Sequence, residues 1–113
     1  MIPGPFARRS IMNKDEISVA LKTAMQAPFV PARPSGCGRA YVIVSGTKDE
    51  LKAFAVAAKA QGLLFLKKAY GTSGNALYIG YDNGDGRSLA KSQAVAESLK
   101  AFGLRAYADA VGD

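Results

Sequence analysis

The side chains best equipped for recognition chemistry here are tyrosines set among cations. Tyr41, Tyr78 and Tyr107 fall in apolar, β-prone stretches, and Lys67 and Arg105 fall in the same kind of stretch. A tyrosine ring can stack on a nucleobase or anchor a protein contact, and a nearby cation can neutralise phosphate. Further cations precede them: Arg8, Arg9, Lys14, Lys22, Arg33 and Arg39. Only Asp15 and Glu16 oppose these, so most of the net charge of +6 lies in residues 1–39. Such a basic arm suits phosphate or an acidic protein surface, or serves solubility alone.

Other chemistries are poorly supplied. The chain has no histidine and one cysteine, Cys37, between Gly36 and Gly38. A catalytic thiol needs a neighbouring base, and a zinc site needs several nitrogen or sulfur ligands. Neither is expected. The loop NGDGRS precedes a helix, so Gly86, Arg87, Ser88 and Lys91 could hold an anion at its N-terminus. It lacks the Gly-Lys-Ser/Thr ending of a P-loop. Aligned as an EF-hand, it would place Tyr81 at the first ligand position and Ser92 where the bidentate Glu belongs. The simpler expectation is a turn that caps a helix, with Asp82 and Asp85 solvated. No catalytic residue, cofactor or metal is expected.

The elements that must position these residues are legible from periodicity. The stretch NALYIGY (75–81) reads as a central strand with Leu77, Ile79 and Tyr81 on one face and Ala76, Tyr78 and Gly80 on the other. Residues 40–45, 63–70 and 104–111 read as three more strands. Thr47 and Glu50 form a capping box that opens a helix over 48–61. A helix over 87–102 ends at Gly103. The expected core is Leu51, Phe54, Leu77, Ile79, Val95, Leu99 and Phe102.

An additional helix is expected over 13–26, capped by Asn13 and ended by Pro28. Its stripe is Ile17, Ala20, Leu21, Ala24 and Met25. Residues 1–12 are expected to be a disordered basic arm, with Met12 as a second possible start. Residues 27–39 read as a Pro/Gly-rich linker.

Residues 40–113 then follow the order β-α-β-β-α-β, and their two halves echo each other. This pattern resembles the ferredoxin-like sandwich, an α+β fold with a four-stranded antiparallel sheet in the order 4-1-3-2. The resemblance implies both of its helices on one sheet face. It leaves Tyr41, Ile43, Tyr78, Arg105, Tyr107 and one of Lys67 and Lys68 on the other. The additional helix is expected to bury its stripe on that open face or on a second copy.

The open face resembles sheet-surface RNA readers in its tyrosines and cations. It departs from them in its third strand, where ALYIGY lacks their basic-glycine-aromatic run. The expected function is therefore a non-catalytic interaction module, binding a protein partner or itself as a homodimer. Single-stranded RNA or DNA is the alternative ligand. The chain is 113 residues long, 49% apolar and 21% charged, which suits one globular domain. With no long apolar run, no signal-peptide pattern and a lone cysteine, the expected location is the cytoplasm.

Overall fold

The computed structural model describes residues 12–31, 37–69, 71–84 and 86–112. It is an α+β structure. Three helices, α1 (Lys14–Met25), α2 (Lys48–Ala60) and α3 (Arg87–Ala101), accompany strands β1 (Cys37–Ser45), β2 (Phe65–Leu66), β3 (Ala76–Asn83) and β4 (Arg105–Gly112). The sheet is antiparallel with the order β2-β3-β1-β4, which read from the β4 edge runs 4-1-3-2. Among the described residues no helix is long and apolar enough to cross a membrane.

Two helices start on reciprocal caps. Asn13 Oδ1 accepts from the Glu16 N–H while Glu16 Oε1 accepts from the Asn13 N–H. Thr47 and Glu50 repeat the arrangement at α2. α3 begins differently. Its N-cap is Gly86, in the left-handed region with φ +75°, and has no side chain to offer. Asp82 substitutes: Oδ1 accepts from the Gly86 N–H at 2.8 Å and Oδ2 from the Leu89 N–H at 3.3 Å. Asp82 is buried rather than solvated, contrary to the sequence expectation, because it sits under the helix it caps.

α1 does not cover the open sheet face. It packs against α2 and α3 on the side the helices already occupy, and α2 and α3 meet it more than each other. Ile17, Ala20, Leu21 and Ala24 join one core with Val42, Val44, Phe54, Leu77, Val95 and Leu99. The two sheet-covering helices leave a gap, and an apolar stripe fills it at about 1.5–3 kcal/mol per large side chain. Polar bonds join the two ends of α2 to Met12, just before α1, and to the first half of α1. The Met12 N–H donates to Glu50 Oε2 at 2.9 Å, and Gln61 Nε2 donates to the Ser18 carbonyl at 3.2 Å. Met12, expected in the arm, is therefore a buried part of the fold. Leu51, Ile79 and Phe102 are half-buried at the margin of the core, not fully inside it.

Three strand boundaries differ from expectation. β1 begins at Cys37, inside the supposed linker, because Cys37, Gly38 and Arg39 complete the ladder with Asn83, Asp82 and Tyr81. β3 lengthens to match. β2 pairs through only Phe65 and Leu66, since the chain leaves the ladder at the charged pair Lys67–Lys68.

Candidate interaction face

β1 alternates regularly along its length. Val42 and Val44 face the helices, and Arg39, Tyr41, Ile43 and Ser45 face the other way. β4 runs beside it without a register shift, which sets Arg105, Tyr107, Asp109 and Val111 on the same open face. β3 does not alternate throughout. Ala40 and Tyr41, neighbours on β1, stand opposite Gly80 and Tyr78, so Ile79 is an extra residue. This bulge reverses the facing of everything after it. Gly80 turns to the helices, where a Cβ would stand 2.8 Å from Ser88 Oγ. Tyr81 turns to the open face opposite Arg39. The expected grouping of Tyr81 with Leu77 and of Gly80 with Tyr78 is thus corrected.

The centre of this face is closed by the chain itself. The chain leaves the β2 edge at Lys67, and Gly71 and Ser73 lie against β4, at the opposite edge. Ser73 Oγ and Tyr107 Oη are hydrogen-bonded at 3.0 Å. Gly71 lies on Val111 so closely that a Cβ would stand 2.8 Å from its Cγ1. The loop is held in shape internally. The Asn75 N–H donates to the Lys67 carbonyl at 3.1 Å, closing its ends, and the Thr72 hydroxyl donates to the Ala69 carbonyl at 2.7 Å. Joined ends and internal bonds of this kind are characteristic of Ω-loops. Beneath it lies a second apolar cluster of Tyr41, Ile43 and Ala76, which are 4%, 3% and 0% exposed. Tyr41 meets Tyr78 edge-on, with ring centroids 5.7 Å apart.

The expected recognition residues are therefore divided. Tyr41 is buried and Tyr78 half-buried, while Lys67, Arg105 and Tyr107 remain exposed. Arg39, expected in the arm, is an exposed sheet residue. Arg8, Arg9, Arg33 and Asp85 lie outside the described residues. Tyr107 and Tyr81 are 50% and 43% exposed, one on the β4 edge and the other towards the far end of β3. Tyr81 is the face residue that strict alternation missed. The available signal was Gly80, since an isolated glycine in a strand suggests a bulge.

The expected anion site is not brought together as such. Asp82 already takes the N–H groups of Gly86 and Leu89 and places a carboxylate where an anion would dock. Ser88 Oγ donates to the Tyr81 carbonyl at 3.3 Å, Arg87 is exposed and Lys91 is half-buried. Among the described residues no group of three or more His, Cys, Asp or Glu stands where it could hold a metal ion. In comparisons with known proteins, no family model, curated protein or solved structure matches the chain.

Proposed function

We propose that this chain is a non-catalytic interaction module on a ferredoxin-like sandwich, binding a protein partner or a second copy through the exposed margin of its open sheet face. The observation that carries this reading is the loop over Tyr41 and Ile43. A nucleic-acid reader of this architecture stacks bases on rings of the central strands. Here those rings are Tyr41, buried, and Tyr78, turned edge-on against it. What remains outside is Tyr107, Tyr81, Arg105 and Arg39 on a hydrogen-bonded sheet, and Tyr and Arg are the residue types that anchor protein contacts. The two buried carboxylates support a non-catalytic reading, because Glu50 and Asp82 are both engaged by helix N-terminal N–H groups.

Photocrosslinking from position 107 in the native cell tests this, with exposed Val56 on α2 as the control position. The expected product at 107 is a discrete protein adduct, absent at 56. Capture of RNA or DNA at 107, lost as salt is raised, would overturn the reading and promote single-stranded nucleic acid as the ligand.

A further inference from the structure

The outer edge of β4 is eight residues long, Arg105–Gly112, and among the described residues no strand pairs with it. Exposed edges in natural proteins are blunted by charged side chains, especially Lys, by Pro or by a bulge. RAYADAVG has no Lys and no Pro, and its pairing with β1 runs without a shift. One local bond occupies this strand: the Ala110 N–H donates to Asp109 Oδ1 at 3.0 Å, a contact between neighbours that a ladder partner could replace.

The first five residues, Arg-Ala-Tyr-Ala-Asp, are complementary to themselves when reversed. A two-fold axis through Tyr107, normal to the sheet, would set Arg105 opposite Asp109 of the second copy, and Asp109 opposite its Arg105. It would also set Ala106 opposite Ala108 and Tyr107 opposite Tyr107. Arg105, Tyr107 and Asp109 share the open face, so these cross-strand pairs form on one side. Within a single chain the two charges do not meet, because four residue steps along the strand set their backbones about 13 Å apart. Among the described residues the one ion pair is Lys100–Glu97, so neither Arg105 nor Asp109 has a salt-bridge partner. Moving the axis to Ala108 would set Arg105 against Val111 and leave its charge unanswered.

Resting on the interaction reading above, we infer that the partner is a second copy of this chain, joined by antiparallel β4–β4 pairing centred on Tyr107 into a continuous eight-stranded sheet. The closed two-fold arrangement leaves no growing edge at β4, which separates it from open-ended aggregation.

The test uses charge reversal, with mass in solution measured over a wide range of concentration. The full-length chain should double its mass as concentration rises. R105D and D109R each create two like-charge pairs across the axis, and each should raise the dimer Kd about tenfold or more. An equimolar mixture of the two should dimerise again, because both cross-strand pairs become opposite in sign. The double variant R105D/D109R should dimerise alone. Two misfolded chains would not rescue each other on mixing, so loss of folding cannot imitate this pattern. In a C37S background, Y107C should form an intermolecular disulfide on oxidation and A108C should not. Cα atoms of directly opposed residues lie about 4.5–5.5 Å apart, within disulfide reach. A wild-type chain that stays monomeric, single variants that dimerise normally, or a mixture that stays monomeric would each overturn the inference. Protein capture from position 107 by a chain shown to be monomeric would leave the interaction reading standing with a different partner.

Discussion

Replacing Glu50 with Ala should cost more than removal of an ordinary helix cap, and the structure says by how much. The carboxylate serves two donors. Its Oε1 takes the Thr47 N–H at 3.0 Å, and its Oε2 takes the Met12 N–H at 2.9 Å. Thr47 is exposed, so water can replace the first bond, and the loss is about 1 kcal/mol, as for other caps. Met12 is buried, and a buried N–H left without an acceptor costs about 1–3 kcal/mol. The sum is about 2–4 kcal/mol, a large share of the 5–15 kcal/mol typical of a domain. Glu16→Ala is the internal control. It removes the same reciprocal cap at α1, but Asn13 and Glu16 are exposed and, among the described residues, no second donor depends on the carboxylate. Its cost should be about 1 kcal/mol or less. Urea unfolding of both variants, read as midpoints at a common slope, measures the difference. Equal shifts for the two would refute the tether between α1 and α2.

Other substitutions probe the remaining parts of the argument. Phe54→Ala should lower stability by about 3–5 kcal/mol, because the ring is fully buried and packs on Phe65 at 4.8 Å. Phe102→Ala should cost clearly less, since that ring is only half-buried, and the unfolding midpoints of the two variants rank them. Leu21→Ala should cost about 2–5 kcal/mol if α1 belongs to the core, and a midpoint within error of wild type would place α1 outside it. Gly71→Ala should lift the loop, because φ there is +82° and the new Cβ would meet Val111. The chain has no tryptophan, so tyrosine fluorescence reports the change, and quenching by acrylamide should increase. Unchanged quenching would mean that the loop does not seal the face.

What could be read in advance was local, and what could not was a matter of packing partners. Asn13 and the pair Thr47–Glu50 announced two helices because capping bonds join residues only three apart. The stripe of α1 was equally plain. A stripe demands burial without naming the surface that provides it, so the gap between α2 and α3 was invisible. Residues 63–70 read as a full strand, yet only Phe65 and Leu66 pair, because the chain leaves the ladder at the charged pair Lys67–Lys68. At Gly74 a Cβ would stand 2.8 Å from the Lys67 carbonyl oxygen, so the loop's closure depends on its absence. Strict alternation misplaced Tyr81 by one bulge and thereby hid an exposed tyrosine of the face. Asp82 escaped notice because it caps α3 from four residues before the N-cap, outside the usual window.

On the proposed reading, the sheet face meets protein and not nucleic acid. Mass in solution, with and without single-stranded RNA at two salt concentrations, tests it most directly. The mass should rise with protein concentration, stay unaltered by RNA and change little with salt, since burial and a few paired charges drive association. A complex with RNA that forms at low salt, dissolves at high salt and weakens on Tyr107→Ala would contradict it.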